Sequence, residues 1–383
     1  MRIVVRNGIM PKGKVKLPPS KSEAIRKALL YALSGEDPKL ALFGYEGEPL
    51  CRDIAFAVQA AGELSGDTCV GESAALLRFV LPIKLIMGGG TIKGSESVLK
   101  RGIWEFEECF ARCFAREKGG IRLGETKGIF DEKTRFAIDC SRSSQFLSGL
   151  MIALPLLGHE CEIVVKNGLV SRPYAEITLS LVREFGGRIE ETDEGYRTHP
   201  SKYRAPDLMP VAGDASYAAV FEAMNALGGE VSLEGAFENS LQPDKAFGAL
   251  AALDDCDITD CPDLIPLLAA AACGKSGDTV IRGAMRLRTK ESDRGKETVR
   301  LVRSLGGEAH ILGDRVLIRG SGRLNGGAFR ANNDHRLVFA AAALALVSEA
   351  PVEIENAECV NKSAPGFFDD LKRLGMEITE VMY

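Results

Sequence analysis

The sequence predicts a mixed α/β protein built from repeated units of a helix, a glycine and a short strand. Polar clusters rich in Ser, Asp, Lys and Arg recur along the chain, and each precedes an apolar helical run that ends at glycine. Strand-like runs such as RIEE, EVSLEG, EAHILG and MEITEV follow several of these glycines. The chain has 383 residues, 45% of them apolar, which suffices for two domains with substantial cores.

The elements can be placed in order along the chain. The opening run MRIVVRNG is strand-like, and a helix is predicted after it, where Ser20 and Glu23 fit a capping box and Gly35 ends the run. Six more polar clusters predict helix starts: Ser143-Ser144, Ser171-Arg172-Pro173, Asp214-Ala215-Ser216, residues 290–294, Asp334-His335-Arg336 and Lys362-Ser363. Pro173 is expected at the first helical position. The windows LIPLLAAAAC and LVFAAAALALV are too short to span a bilayer and predict largely buried helices.

Composition limits the classes of function. The net charge of −5 should not attract polyanions, so an anion site must be a local concentration of cations on an acidic body. With four His and no zinc-type spacing among the ten Cys, we expect no metal site. The cysteines are expected to be reduced and mostly buried, as in a cytosolic protein. The first residues lack the long apolar stretch of a signal peptide, which also favours a cytoplasmic location.

The predicted helix starts indicate an anion site. Helix N-termini present free N–H groups and a partial positive charge, and here many of them also carry Lys, Arg or Ser. For any one helix simple capping explains the pattern, but its recurrence favours a convergent phosphate and carboxylate site. The segment RLRTKESDR packs four cations and two carboxylates into nine residues. A solvated charged face is the alternative; in a helical first turn, Lys290 and Arg294 would share a face.

Nine segments carry a family resemblance. They occur in this order: PSKSEAIRKALL, ESAALLRF, SSQFLSGLM, SRPYAEIT, GDASYAAVF, CPDLIPLLA, RLRTKESDR, NDHRLVFAAA and KSAPGFFDDL. Together they resemble the 3-phosphoshikimate 1-carboxyvinyltransferases, also called 5-enolpyruvylshikimate-3-phosphate synthases, of the enolpyruvyl transferase family. The resemblance spans nearly the whole chain, and although each motif alone is weak, KESDR, DHR and PSKS are jointly specific.

The resemblance implies two similar domains, each of three βαβαββ-type repeats, in the α-β prism of enolpyruvyl transferases. It also implies a discontinuous domain of residues 1–12 plus 213–383, with the N-terminal strand, and a second domain of residues 13–212. The crossings are placed near residues 11–14 and 211–214. Helix N-termini are expected to face a substrate cleft between the domains, which should close on substrate.

The resemblance implies a reaction of shikimate 3-phosphate with phosphoenolpyruvate on the route to chorismate and the aromatic amino acids. The 5-hydroxyl attacks C2 of phosphoenolpyruvate while C3 is protonated, and phosphate then leaves the tetrahedral intermediate. The reaction requires no metal and no organic cofactor. The implied partners are these small molecules, with no nucleic acid and no membrane, and we expect a cytoplasmic monomer.

The family's site residues carry over to matching positions. The expected catalytic residues are Asp263 as base, Glu291 as the acid for C3, Lys21, Lys290 and Lys362. The residues expected to bind shikimate 3-phosphate are Lys21, Ser22, Arg26, Ser143, Ser144, Gln145, Ser171, Tyr174, Asp263 and Lys290. The residues expected at phosphoenolpyruvate are Lys21, Ala74, Arg101, Gln145, Arg294, Arg336 and Lys362. The guanidinium of Arg can donate two parallel hydrogen bonds to a carboxylate or phosphate, and Ser hydroxyls can donate to the remaining oxygens.

Three positions depart from the family pattern. Ala74 stands where Gly is frequent, and its methyl is expected to project toward phosphoenolpyruvate, so glyphosate should inhibit less than in a Gly variant. Arg286 stands where some members have a polar shikimate ligand. Arg101 is followed by Gly102 where Pro is frequent.

Three alternatives remain open at this point. The sister transferase acting on UDP-N-acetylglucosamine shares the fold, but Ser143-Ser144-Gln145 and KESDR favour the shikimate enzyme. An RNA 3'-phosphate cyclase would need a nucleotidylated His and a nucleic-acid face, which four His and a net charge of −5 disfavour. A non-catalytic homologue would bind the metabolites alone, and intact Asp263, Glu291 and Lys362 argue against it.

Overall fold

The structure is a computed structural model, and it divides the chain into two compact units. It describes residues 1–100, 103–110, 113–124, 130, 132–208, 210–235, 237 and 239–381. Unit 1 comprises Met1–Pro18, Glu48–Cys51 and Ala212–Tyr383, and unit 2 comprises Pro19–Gly47 and Arg52–Val211. Each unit has its own hydrophobic core.

Helices and strands alternate through both units. The helices are α1 Lys21–Ser34, α2 Arg52–Gly62, α3 Ala74–Met87, α4 Glu96–Lys100, α5 Trp104–Cys109, α6 Gln145–Ala153, α7 Arg172–Glu184, α8 Ala215–Ala226, α9 Phe247–Ala251, α10 Ile265–Gly274, α11 Arg294–Ser304, α12 His335–Leu344 and α13 Phe367–Arg373. The strands are β1 Arg2–Val5, β2 Lys12–Lys16, β3 Thr68–Cys69, β4 Thr91–Lys93, β5 Phe114–Glu117, β6 Gly120–Leu123, β7 Arg135–Asp139, β8 Cys161–Lys166, β9 Arg188–Thr192, β10 Gly195–His199, β11 Glu230–Glu234, β12 Asp255–Asp257, β13 Ser276–Arg282, β14 Glu308–Leu312, β15 Arg315–Ser321, β16 Gly327–Arg330, β17 Val352–Glu355 and β18 Ile378–Val381.

The predicted helix starts are confirmed except at Lys362-Ser363, which ends a 3-10 turn before α13 begins at Phe367. The local causes of the confirmed starts are visible. Ser20 Oγ accepts from the Glu23 amide at 3.4 Å, and Gly35 closes α1 in the left-handed conformation that glycine adopts without strain. Asp334 caps α12 in the same way by accepting from the Arg336 amide at 3.1 Å. Pro173 was expected at the first helical position. Helix α7 begins one residue earlier, at Arg172, so the proline is its second residue.

The strands confirm the mixed α/β class and show its repeat. Four four-stranded sheets of the described chain share one pattern, in which two parallel strands are followed by an antiparallel pair. In spatial order the fourth strand lies beside the second, and the third lies at the edge. These sheets are β3-β4-β6-β5, β7-β8-β10-β9, β12-β13-β15-β14 and β16-β17-β1-β18. Each is a βαβαββ unit, since helices connect its first three strands.

The N-terminal strand completes the last of these sheets. Strand β1 lies between β17 and β18 and is antiparallel to both, with Ile3 and Val5 buried in the core of unit 1. Strand β2 pairs in parallel with β11, so unit 1 extends to Pro18, and the expected boundary between residues 12 and 13 falls inside β2. Each unit also contains helices that do not belong to a four-stranded βαβαββ unit. In unit 1 this is α8, which accompanies the two-stranded sheet β11-β2, and in unit 2 these are α1 and α2.

The apolar windows are the most buried helices. Every residue of α12 is buried, and so is every residue of α10 from Ile265 to Cys273. Their small alanines allow neighbouring helices to approach closely. Within the described ranges, no helix combines the length and apolar character needed to cross a membrane. Eight of the ten cysteines are buried, as the sequence predicts.

Candidate active site

Charged side chains gather in unit 1 at the starts of several helices. We call this group the arginine–carboxylate cluster; it consists of Asp244, Asp263, Lys290, Glu291, Arg294, Asp334, Arg336 and Lys362. Its members come from five chain segments, and each segment is a helix start or a short 3-10 turn. The fold therefore brings together residues that are far apart in the sequence.

The KESDR segment leads into α11 but does not itself form its first turn. Lys290 follows a 3-10 turn over Met285–Thr289, and α11 begins at Arg294 with Asp293 as its N-cap. The expected helical face shared by Lys290 and Arg294 is therefore wrong, because the cap lies between them. The two side chains nevertheless meet at one carboxylate, that of Asp263.

Asp263 is the carboxylate on which three cations converge. It lies in the 3-10 turn Pro262–Leu264 that precedes α10. Its Oδ1 is 2.5 Å from Arg294 Nη1 and 3.4 Å from Lys290 Nζ, and its Oδ2 is 3.1 Å from Arg336 Nη2. Burial disfavours the charge, but Lys290, Arg336 and Arg294 outweigh it and hold the pKa of Asp263 well below its usual value.

Arg294 is the buried centre of the cluster, with a side chain only 1% exposed. Its Nε and Nη2 donate to both oxygens of Asp334 at 2.9 and 3.1 Å, and Nη2 also donates to Glu291 at 2.7 Å. Burial opposes the cation, yet Asp334, Asp263 and Glu291 more than compensate and raise the pKa of Arg294. Contact with a substrate anion would require it to exchange one of these carboxylates.

Glu291 joins Arg294 to Lys362. Its Oε1 accepts from Lys362 Nζ at 2.9 Å, and Lys362 is itself buried at the end of the 3-10 turn Ala357–Lys362. Lys290 meets the cluster at Asp263, and burial lowers the pKa of Lys290 against the opposing effect of that carboxylate. Arg286, whose role the sequence left open, lowers the pKa of Lys290 further through its charge.

Unit 2 holds the second set of predicted residues. We call it the helix-start group; it consists of Lys21, Ser22 and Arg26 of α1, Ser143 and Ser144 before α6, Gln145 at the start of α6, and Ser171 and Tyr174 at the start of α7. Helix α6 packs on α3 and α7, and α1 packs on α7. The group therefore lies on helices of one packed layer.

Arg26 occupies the interior of this layer. Its Nε donates to Thr178 Oγ1 at 2.6 Å, its Nη1 to the Ser22 carbonyl at 2.6 Å, and its Nη2 to the Tyr174 carbonyl at 3.1 Å. Its guanidinium also lies 4.7 Å from the centre of the Phe79 ring. Burial lowers the pKa of Arg26 to about 10. The side chain bridges α1 and α7 in this structure.

Two further contacts orient members of the helix-start group. Arg78 of α3 donates through Nη1 to Gln145 Oε1 at 2.6 Å, and Lys21 Nζ lies 3.2 Å from Asp53 Oδ2 at the start of α2. Arg78 and Asp53 thus each hold a residue, Gln145 and Lys21 respectively, that the sequence predicts to contact substrate. Arg78 fixes the amide orientation of Gln145, because the amide oxygen must face the guanidinium.

The serines and Ala74 lie at helix starts, as predicted. Ser144 and Ser171 are the N-cap residues of α6 and α7, and Ser143 Oγ accepts from the Gln145 amide at 3.3 Å. Ala74 is the first residue of α3 and is half-buried. Arg101 lies outside the described residues, so its place in the site stays a prediction.

Sequence reasoning missed four residues that hold the predicted ones. They are Asp53, Arg78, Asp244 and Ser292, the last of which donates to Asp334 Oδ2 at 2.9 Å. Arg78 and Ser292 lie inside recognised motifs, so the sequence carries a signal for both. Asp53 and Asp244 lie outside those motifs, so only the fold reveals their contacts.

Among the described residues, no group of three or more His, Cys, Asp or Glu is arranged to hold a metal ion.

A sequence model of one family matches the chain over residues 99–253 and 248–371, that of the EPSP synthases (3-phosphoshikimate 1-carboxyvinyltransferases). The chain belongs to this family. EPSP synthases are transferases, and they transfer an enolpyruvyl group in the shikimate pathway.

Individual EPSP synthases agree with the family assignment. The 3-phosphoshikimate 1-carboxyvinyltransferases of Clostridium kluyveri and Clostridium acetobutylicum are each 30% identical to this chain, over 99% of both sequences. A solved EPSP synthase from Acinetobacter baumannii matches with a TM-score of 0.75 at 20% identity, covering 99% of this chain and 100% of that chain. A second structure of that organism's enzyme matches at 0.76 and 18% identity, with full coverage of both chains. The structural likeness confirms the expected EPSP synthase fold.

Proposed function

We propose that the chain transfers the carboxyvinyl group of phosphoenolpyruvate to the 5-hydroxyl of shikimate 3-phosphate, with Asp263 as the base. The observation that supports this role is the position of Asp263 among Lys290, Arg294 and Arg336. A base for the hydroxyl and cations for two anionic substrates are what the reaction needs, and here they adjoin one another. Charge placed in advance of the reaction is the largest catalytic contribution in many enzymes.

The arginine–carboxylate cluster is proposed to serve the addition step. Asp263 takes the proton of the 5-hydroxyl as its oxygen attacks C2, and Glu291 delivers a proton to C3. Lys362 and Arg336 bind the phosphoenolpyruvate anion. Because the three cations hold the pKa of Asp263 low, it becomes an effective base only when some of their charge is taken over by substrate.

The elimination step restores the double bond. Phosphate leaves C2 of the tetrahedral intermediate and receives the proton that Asp263 took, C3 returns one proton to Glu291, and the enol ether remains. Lys21 and Lys362 are proposed to stabilise the charge of the departing phosphate. No step calls for a metal or an organic cofactor, so prolonged dialysis against a chelator should leave turnover unchanged.

The helix-start group is proposed to bind shikimate 3-phosphate. Ser143, Ser144 and Ser171 offer hydroxyls at helix N-termini, where anions are favoured. Gln145, held by Arg78, would contact both substrates, and Tyr174 would pack beside the shikimate ring. Lys21 would contribute charge to both substrates. Arg26 would act by bridging α1 and α7, and a direct contact would require it to leave its protein partners.

Phosphate release measured with both substrates tests the proposal. We expect release that depends on both and that falls by about a hundredfold or more in Asp263→Asn, as for loss of a general base. Asp257→Asn provides a matched control, because Asp257 is an exposed carboxylate of β12 outside the cluster, bonded to the Thr259 amide at 2.8 Å. Full activity in Asp263→Asn would show that Asp263 is not the base.

We also propose that the enzyme acts as a cytoplasmic monomer on small molecules and binds no nucleic acid. The net charge of −5 supports the last point, because a polyanion would be repelled by the body of the protein. Light scattering after size exclusion should give the mass of one chain, 41.2 kDa. A mass near twice that value would contradict the monomer.

A further inference from the structure

Asp244, one of the four carboxylates of the arginine–carboxylate cluster, lies beside Arg336 on a segment outside the recognised motifs. Asp244 belongs to the 3-10 turn Pro243–Ala246, and the residue is only 1% exposed. Its Oδ2 is 3.7 Å from Arg336 Nη1, while Arg336 Nη2 contacts Asp263 Oδ2 at 3.1 Å. The guanidinium proposed to bind phosphoenolpyruvate is therefore held between two carboxylates.

The contacts around Asp244 hold it firmly in this place. Gln242 Oε1 accepts from the Ala215 amide at 3.0 Å, and its Nε2 donates to the Gly213 carbonyl at 2.8 Å, which ties the turn to the start of α8. Ser216 of α8 donates to Asp244 Oδ2. A buried side chain with this much support is a built part of the site.

The charges of the cluster nearly balance before substrate arrives. Four cations, Lys290, Arg294, Arg336 and Lys362, face four carboxylates, Asp244, Asp263, Glu291 and Asp334. A proton on Glu291, the acid proposed for C3, leaves one positive charge in excess. A substrate that carries a carboxylate and a phosphate would add at least two negative charges to this largely buried group. Such an excess is costly in a medium of low polarity unless a proton is taken up.

Asp244 is the carboxylate best suited to take that proton. The charged or titratable groups that face it are Arg336 of α12, Asp263 before α10, Asp214 at the start of α8, and Cys261. Burial raises the pKa of Asp244, Arg336 opposes the rise, and Asp263 and Asp214 add to it. Asp263, by contrast, has three cations that keep it ionised.

The surroundings of Asp244 can satisfy either protonation state. Ser216 donates to the carboxylate, and a hydroxyl can equally accept from a protonated carboxyl group after rotating its own hydrogen. The hydrogen bond between Ser216 and Asp244 therefore persists after protonation, with its direction reversed, and neither group loses its partner. Protonation also removes the ionic hold of Asp244 on Arg336, which leaves Nη1 of that guanidinium available to a substrate anion while Nη2 stays on Asp263.

We propose that Asp244 is a positioning residue that holds Arg336 while ionised and takes up one proton from solvent when phosphoenolpyruvate binds. The proton adds to a carboxylate oxygen, returns to solvent when the site empties, and changes no bond of the substrate. The inference rests on the proposed assignment of Arg336 to phosphoenolpyruvate. It predicts that phosphoenolpyruvate binding weakens as rising pH makes the proton harder to acquire.

The KM for phosphoenolpyruvate of the wild type and Asp244→Asn, measured between pH 5.5 and 8.5, tests the proposal. Asparagine imitates the protonated carboxyl group, so the mutant-to-wild-type KM ratio should fall as pH rises, by up to about tenfold per pH unit, the slope for one proton. The ionisation of phosphoenolpyruvate itself cancels in this ratio. The corresponding ratio for shikimate 3-phosphate should not depend on pH.

Asp370→Asn is the matched control. Asp370 is also a buried carboxyl group of unit 1 with a raised pKa, it accepts from the Tyr217 hydroxyl at 2.5 Å, and it pairs with Arg373. It does not belong to the cluster, so its KM ratio should be flat across the pH range. A flat ratio for Asp244→Asn as well would assign that residue a structural role alone and overturn the proposal.

Proton counting gives a second measurement that does not depend on the fold of Asp244→Asn. Calorimetric titration of the wild type with phosphoenolpyruvate at pH 8, in two buffers of different ionisation heat, should show net proton uptake, and zero uptake would overturn the proposal. Ser216→Ala should shift the rise in KM to higher pH, because the ionised form loses its donor. Absence of phosphate release from the wild type would instead refute the proposed function.

Discussion

At the scale of single residues, Arg26 shows that a motif residue can act inside the protein. The motif predicts a substrate ligand, yet all three guanidinium nitrogens donate to protein oxygens of α1 and α7, with Ser148 Oγ as a further acceptor at 3.4 Å. Thr178 extends the network by donating to Ser148 Oγ at 2.7 Å. Such a buried cation, with bonds from all three of its nitrogens, stabilises the position of the α7 start as well as the fold.

Arg26→Lys should therefore reduce the free energy of unfolding by about 1–3 kcal/mol, because lysine cannot reproduce the fork and leaves buried acceptors unpaired. Urea denaturation followed by circular dichroism measures the change. Arg172→Lys on α7 is the control: its ion pairs with Glu176 and Glu191 are exposed, so the loss should be about 0.5 kcal/mol or less. Equal losses in both variants would contradict the internal role of Arg26.

At the scale of elements, the start of α7 combines a helix N-terminus with an unusual backbone. Ser171 has a φ of 52°, in the left-handed region where non-glycine residues are strained, and its side chain does not cap the helix. A serine at a place where glycine would be less strained suggests a role for the hydroxyl. The proposed role is a hydrogen bond to shikimate 3-phosphate.

Ser171→Gly and Ser171→Ala separate the contribution of the hydroxyl to substrate binding from the effect of the strained backbone on stability. Both remove the hydroxyl, so both should raise the KM for shikimate 3-phosphate by a similar factor, about tenfold for one hydrogen bond to a charged group. Alanine keeps the strained conformation, whereas glycine relieves it, so the glycine variant should be more stable by about 1 kcal/mol. Thermal denaturation and steady-state kinetics measure the two effects. An unchanged KM in both variants would remove Ser171 from the site.

At the scale of the whole molecule, the repeat explains why the N-terminus is part of unit 1. The sheet β16-β17-β1-β18 has the same order as the three sheets formed by continuous segments, with β1 in the place of the fourth strand. Arg2 is paired with Val381, so the start of β1 lies beside the end of β18. The chain is thus connected as if one repeat had been opened between its last two strands.

A circular permutant should therefore fold. It would join the C-terminus to Met1 through a short Gly-rich linker and open the chain in the exposed β9–β10 turn at residues 193–194. Circular dichroism and phosphate release should both be retained. Deletion of residues 1–6 should instead expose the edges of β17 and β18 and make the protein prone to aggregation. Equal behaviour of the permutant and the deletion variant would contradict this view of the repeat.

The sequence by itself determined the class of fold, the positions of the helix starts and the family. Those features depend on residues a few positions apart, such as Ser20 with Glu23, or on motifs that survive in order along the chain. The boundaries were less well determined, because the pairing of β2 with β11 joins strands on either side of unit 2 in the sequence.

Only the tertiary structure decided how the predicted residues are paired. Asp263 meets Arg294 and Arg336, which are 31 and 73 positions away, and local propensity carries no information about such contacts. The structure also buried Arg26 among α1 and α7 and revealed Asp244 beside Arg336. These pairings arise because packed helices bring their starts together, and the charges gathered there must be neutralised where water is excluded.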